Sequence, residues 1–242
     1  MKSWPGLPEL FDLSATQFSR LFSYLDQPWE ALSALESYLG ILLSEDPLAG
    51  SGGETNSGFL RGDIRLGRGA VVEPGARIEG LVHLGAGTVV ETGAYIRGPA
   101  WIGQGCEVRQ GAYLRGIVLA GDGSIMGHAS EFKRCVLLEG AQAPHFNYVG
   151  DSVMGIRSHI GAGVILSNVR LDKKTVRAAL LGGDSETRLV ETGLDKFGAI
   201  LGDGCEVGCN SVLNPGTILG ARCLVPPLSR VKGSFPAGTK LD

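Results

Sequence analysis

Stepping through the chain six residues at a time from Leu66 meets Val72, Ile78, Leu84, Val90, Ile96, Ile102, Val108, Leu114, Ala120, Met126, Phe132 and Leu138, all apolar, before the series ends at Pro144. Four residues beyond each position from Leu66 to Phe132, the chain places Ala70, Ala76, Val82, Thr88, Ala94, Ala100, Cys106, Ala112, Val118, Ser124, Ser130 and Val136, none larger than valine. A six-residue beat with one aliphatic and one small inward position predicts short strands joined by tight turns, the hexapeptide kind of parallel β-helix, with three hexads closing a triangular coil. A β-sandwich with glycine turns predicts spacings of about 8–12 residues and more scatter.

An 18-residue period provides an independent check. Gly67, Gly85, Gly103 and Gly121 recur at that spacing, each followed two residues later by Gly69, Gly87, Gly105 and Gly123. These glycines predict one corner, stacked coil on coil, and account for part of the 38 glycines among 242 residues. A narrow core of alternating large and small side chains also fits an aromatic content of only 7%.

The beat predicts a break after Leu138, with an insertion near 144–153. It resumes at Met154, Ile160 and Leu166, and again at Leu201, Val207, Leu213, Leu219, Val225 and Val231. The second interruption, at about 170–198, reads as an inserted hairpin. Roughly eight coils between 60 and 233 then give about 38 Å of solenoid at about 4.8 Å per coil. Ahead of the coils, 14–25 and 28–44 carry helical spacing, and 45–57 reads as a flexible linker. The expected organisation is N-terminal helices and linker over 1–57 and the β-helix over 58–242, a mainly β chain with a short helical segment.

A net charge of −3 at neutral pH offers no global reason for nucleic acid or an anionic membrane as partner. No apolar run reaches the length of a membrane span, and residues 1–13 lack the pattern of a secretion signal, which predicts a cytoplasmic protein. The five cysteines, Cys106, Cys135, Cys205, Cys209 and Cys223, read as reduced thiols.

The 18-residue period stacks Arg97, Arg115 and Lys133 on the outside. Like charges about 5 Å apart repel by about 3 kcal/mol at an effective dielectric of 20, so the ladder needs partners. Neighbouring carboxylates such as Glu79 or Glu131 are one solution, and a small anion such as phosphate is the other. Close to the top of the ladder, Pro144-His145-Phe146-Asn147-Tyr148 interrupts the hexads with a histidine, the side chain able to take and return a proton near neutral pH. His83, His128, His145 and His159 fit no common period, so no stacked histidine set and no metal site is expected.

The run HFNYVGDSVMGIRSHIGAGVILSN at 145–168 resembles the acetyltransferase domain of the bifunctional enzymes that make UDP-N-acetylglucosamine. The continuation NVRLDKKTVR, the hairpin, GAILGDGCEVGCNSVLNPGTILG and the upstream PWEAL resemble the archaeal-type sugar-1-phosphate nucleotidylyltransferase/acetyltransferases. The resemblance implies a left-handed β-helix working as a homotrimer, an acetyl-CoA co-substrate, and glucosamine-1-phosphate or a related amino-sugar phosphate as acceptor. It implies His145 as catalytic base and Arg115, Lys133, Tyr148, Asn168, Lys174 and Arg177 as substrate-binding. It places the donor near Ala162, Cys209 and Pro227. The chemistry itself asks for a hydrogen bond to the oxyanion, and a backbone N–H near the 161–163 Gly-Ala-Gly turn is a candidate. For the donor's phosphates, Arg222, Arg230 and Lys232 stand beside the plain alternative of solvated charge. Two positions depart from the bacterial pattern: His159 replaces an asparagine, and Val169 a tyrosine. No pyrophosphorylase motif occurs in residues 1–60. Two other readings therefore remain open: a non-catalytic module partnering a separate nucleotidylyltransferase, and an acyltransferase using a longer acyl donor.

Overall fold

In a computed structural model describing residues 6–48, 59–181 and 187–242, the chain winds as a left-handed parallel β-helix. One column shows its depth. Phe59, Arg77, Tyr95, Tyr113, Glu131, Tyr148, Ile165, Val212 and Arg230 pair in succession, nine rungs in this column where about eight coils were expected. The inward residues from Val72 to Phe132 form one continuous buried core with the small residues between them.

The two glycine series at the predicted corner serve different ends. Gly69, Gly87, Gly105 and Gly123 have φ between +59° and +74° with open space around them, so conformation selects glycine there. Gly67 and Gly121 have ordinary φ, but a Cβ would lie 2.5 Å from the Ala86 nitrogen and 2.7 Å from the Glu139 nitrogen, so room selects it.

The break in the beat falls earlier than expected and has the opposite sign. Phe132 still pairs with Leu114, 18 residues back, but Cys135 pairs with Val118, only 17 back. The coil has lost a residue at the corner held by Arg134, whose φ is +44°. The next coil is also short, since Glu131, Lys133 and Leu137 pair with Tyr148, Gly150 and Met154. No insertion occupies 144–153. A one-residue slip exchanges the two faces of a strand: Cys135 and Leu137 enter the core, while Val136 and Leu138 point outward.

Those outward residues are covered. Helix α1 spans Leu7–Leu10 and α2 spans Glu30–Ser44. The expected helix over 14–25 is instead a set of turns with one 3-10 turn at Ser19–Phe22, and Phe18, Leu21 and Phe22 are buried by tertiary packing. On α2, Leu32, Leu35, Leu39 and Leu43 lie against an outward apolar column of the solenoid that runs Trp101, Leu119, Val136, Val153, Ile200, Ile218. Each buried leucine contributes about 1.5–3 kcal/mol. One of the three faces is thereby closed by the chain's own N-terminal segment.

The start of the expected linker is a latch. Asp46 is 4% exposed; its Oδ2 lies 2.7 Å from His83 Nδ1 and 3.3 Å from Arg65 Nη1, and its Oδ1 accepts from the Leu48 N–H at 2.9 Å. Arg65 also donates to the Leu43 carbonyl at the end of α2, and His83 stacks on Trp101 with centroids 3.7 Å apart. The remainder of the expected linker, 49–57, lies outside the described residues.

Between Leu166 and Ala199 the chain leaves the solenoid. Arg177–Leu181 and Thr187–Glu191 pair antiparallel as a hairpin, whose tip at 182–186 is outside the described residues. Because of this excursion Ile165 pairs with Val212, 47 residues on.

Candidate functional site

The short coils bring His128 and His145 into register, so two of the four histidines do stack. The sequence period of 18 hid a separation of 17. Backbone bonds continue this edge upward: the Phe146 N–H donates to the His128 carbonyl, Gly163 to His145, Asn210 to Ala162 and Leu228 to Cys209. His145, Ala162, Cys209 and Pro227 therefore occupy one edge of the prism on successive rungs.

His145 is exposed at the end of strand Gln142–His145, and its loop is fixed from beneath. Phe146 takes φ +53°, and Asn147 is 3% exposed. Asn147 Oδ1 accepts from the His145 N–H at 3.0 Å, its Nδ2 donates to the Gly161 carbonyl at 2.8 Å, and its own N–H donates to Ser130 Oγ at 2.9 Å. Of the three N–H groups in the 161–163 turn, that of Gly161 goes to the Val207 carbonyl and that of Gly163 to His145. The Ala162 N–H has no acceptor among the described residues.

Around the corner, strand Tyr148–Met154 crosses the neighbouring face. The Tyr148 hydroxyl accepts from Asn168 Nδ2 at 3.1 Å, and burial pushes its phenol above the usual value, so it remains a neutral group with a proton to donate. The same Asn168 nitrogen lies 2.6 Å from Asp151 Oδ2. Asp151 is 2% exposed, sits at φ +46°, and faces Lys133 Nζ at 3.4 Å and Arg134 Nε at 3.8 Å. Aspartate enters this backbone state more often than most residues with a side chain.

Neither Gly150 nor Asp151 was singled out from the sequence, although both lie in its YVGD run. A Cβ on Gly150 would stand 2.5 Å from the Tyr148 hydroxyl oxygen, because the tyrosine ring lies over that residue. The tyrosine needs the glycine beneath it.

The cationic ladder is partly neutralised within the chain. Arg115 Nη1 is 2.6 Å from Glu131 Oε1, as one of the two sequence readings had it, while Glu79 instead serves Arg77 and the Tyr95 hydroxyl. Arg97 bonds to Tyr113, which raises its pKa. Arg115, Lys133, Arg134, Asp151 and Lys196 line a cleft of about 350 Å³ closed on one side by the hairpin's return at Gly193–Lys196. Arg115 is paired to Glu131, so Lys133, Arg134 and Lys196 against Asp151 and Asp195 leave this cleft a small cationic excess, which suits an anion.

Lys174 and Arg177 are not among the residues lining that cleft. Lys174 is exposed beside Asp172, and Arg177 lines a second, larger cleft under the hairpin. His159 stands apart from His145, with its Nδ1 2.9 Å from Glu206 Oε2. Among the described residues no cluster of His, Cys, Asp or Glu is arranged to hold a metal ion, and no helix is long and apolar enough to cross a membrane. All five cysteines are free, with Cys209 exposed on the His145 edge.

No protein-family model matches the chain. A bifunctional sugar-1-phosphate nucleotidylyltransferase/acetyltransferase of Sulfurisphaera tokodaii is 34% identical over 102 residues, 42% of this chain and 24% of that protein. The bifunctional protein GlmU of Methanococcus maripaludis is 31% identical over 219 residues, covering 88% of this chain and 46% of its own length. The chain thus spans less than half the length of either relative. Among solved structures, the UDP-N-acetylglucosamine acyltransferase of Arabidopsis is 13% identical, with a TM-score of 0.37 over 76% of this chain and 66% of that one. The chain is a homologue of the acetyltransferase part of the bifunctional sugar-1-phosphate nucleotidylyltransferase/acetyltransferases.

Proposed function

We propose that the protein transfers an acetyl group from acetyl-CoA to the amine of an amino-sugar phosphate such as glucosamine-1-phosphate, in the synthesis of a UDP-N-acetylglucosamine-type nucleotide sugar. One observation carries this reading: an exposed histidine stands on the same edge as Ala162, Cys209 and Pro227, one turn of chain from a face that ends in a cationic cleft.

The phosphate would lie among Arg115, Lys133 and Arg134, and the sugar would meet Tyr148 and Asn168. The acceptor amine attacks the thioester carbonyl while the neutral imidazole of His145 takes its proton. The Ala162 N–H is the free donor for the oxyanion of the tetrahedral intermediate. Collapse breaks the C–S bond, and His145 returns the proton to the departing thiolate, leaving the amide and free CoA. No covalent enzyme intermediate is needed.

The reading includes a homotrimer in the cytoplasm. Lys174, away from the cation cleft of its own chain, would complete the acceptor site of a neighbouring subunit. Release of thiol from acetyl-CoA in the presence of glucosamine-1-phosphate tests the proposal directly. His145→Ala should reduce turnover at least a hundredfold, within the usual range for loss of a general base, with melting temperature and oligomeric state unchanged. Retained turnover in that variant would refute the base assignment.

A further inference from the structure

The edge that carries His145 changes character at that rung. The corner position beside the histidine is occupied by Gly75, Gly93, Gly111 and Ala129 in the coils below and by Gly163 in the coil above, but at the His145 rung by Phe146. The phenylalanine is 56% exposed on a backbone at φ +53°, a state that bulky side chains rarely adopt. Such strain persists where neighbouring structure over-determines it, and the buried Asn147, bonded to the His145 N–H and the Gly161 carbonyl, does so here.

The ring points down the edge. It meets the imidazole of His128, one rung below His145, with centroids 5.3 Å apart and planes at 78°, and its centroid lies 6.4 Å from that of the His145 ring. His128 is itself fixed, because its Nδ1 donates to the Gln110 carbonyl at 2.8 Å. Phe146 and His128 thus close the edge directly beneath His145. Beyond them, the same corner position carries nothing larger than the methyl group of Ala129.

We propose that Phe146, seated on His128, sets the length of the acyl group and stops it at acetyl. The proposal rests on the acyltransferase reading above, in which the donor arm descends the edge past Pro227, Cys209 and Ala162 and presents its thioester carbonyl to His145 and the Ala162 N–H. An acyl chain continuing that line meets the phenyl ring within one rung, about 5 Å. A methyl group ends short of the ring, whereas each further methylene must displace an aromatic side chain supported from below. The reacting atoms are the same for every chain length, since the C–N bond forms and the C–S bond breaks at the carbonyl alone. Discrimination is therefore steric. With the ring removed, added carbons would run along the edge over Ala129 and Gly111, where no large side chain occupies the corner.

The test is a donor series of acetyl-, propionyl- and butyryl-CoA with glucosamine-1-phosphate, run on the wild type, Phe146→Leu and Phe146→Ala. Alanine suits the backbone here, because Ala129 holds the same state at φ +49° one rung below. In the wild type, kcat/KM should fall about 10–200-fold with the first added methylene. In Phe146→Ala the ratio of butyryl to acetyl kcat/KM should rise about tenfold, as expected for two newly accommodated methylenes, with Phe146→Leu between the two. The ratio is taken within one variant, so a general loss of activity from a disturbed loop cancels. A wild type that uses butyryl-CoA as well as acetyl-CoA, or a ratio that Phe146→Ala leaves unchanged, overturns the proposal and leaves the acyltransferase reading in place. Calorimetry supplies a readout without turnover: Phe146→Ala should tighten butyryl-CoA relative to acetyl-CoA about tenfold in Kd. If that shift is found while no amino-sugar phosphate is acetylated, the acceptor reading fails and the acyl stop stands. If neither protein binds a CoA thioester, both fall.

Discussion

Gly150→Ala adds one methyl group at a residue with no chemistry of its own, and its effect can be worked out from the tyrosine above it. The new carbon would lie 2.5 Å from the Tyr148 hydroxyl oxygen and 2.7 Å from Cε1 and Cζ, so the ring must swing away. Its hydrogen bond from Asn168 is then lost, at a net cost of about 0.5–1.5 kcal/mol. Asn168 keeps its contact with Asp151, so no amide is stranded. Opposing this loss, alanine restricts the unfolded chain and restores about 0.4–1 kcal/mol, because φ at Gly150 is outside the left-handed region. The two contributions leave stability within about 1 kcal/mol, or about 2–4 °C in a chain of this size. Catalysis should respond differently, since a displacement of about 1 Å in a positioning group can cost about a hundredfold. We expect kcat/KM for the amino-sugar phosphate to fall about 10–100-fold with little change in melting temperature and no change in KM for acetyl-CoA. Unchanged kcat/KM would show that the pose of Tyr148 over Gly150 is irrelevant to the acceptor.

Two further outcomes concern the N-terminal segment. Burial raises the Asp46 carboxyl, but the Leu48 N–H, His83 and Arg65 together outweigh it and hold the pKa below 3.8. A depressed carboxylate stabilises the fold above its unfolded value and loses that contribution as pH falls through the folded one. The melting temperature of the wild type should therefore drop toward that of Asp46→Asn below about pH 3.8, and parallel curves through that range would exclude the latch. Leu39→Ala, at a fully buried position of α2, should cost about 3 kcal/mol and about 6–12 °C by calorimetry; a loss under about 1 kcal/mol would mean that the helix is not docked in solution.

The solenoid was legible because its core repeats. Residues such as Ile78, Leu84 and Ile96 announce their face by position alone, and the corner glycines confirm the coil length. The shortened coils were not, because the corner that absorbs the change is built on Arg134, and a left-handed arginine leaves no mark in a sequence. Everything that depends on the 17-residue spacing was hidden with it: the stacking of His128 on His145, the reversal of Val136 and Leu138, and the convergence of Lys133, Arg134 and Asn168 on Asp151. The segment 14–25 misled for another reason. Its apolar residues have helical spacing, but packing against the solenoid, not local propensity, decides their conformation. The clefts lie beyond sequence reading altogether, since Lys196 and Arg177 reach their places only when the hairpin folds back.

The rungs of the β-helix have a consequence for how such a molecule can change. Distances along the prism come only in whole steps of about 4.8 Å, so the interval between His145 and Pro227 along their edge is a graduated scale cut into the backbone. A mutation can alter what stands at a mark, but it cannot move the mark. A ligand longer or shorter by a fraction of a step must bend to fit, and a ligand of a different length class requires an entire coil to be gained or lost.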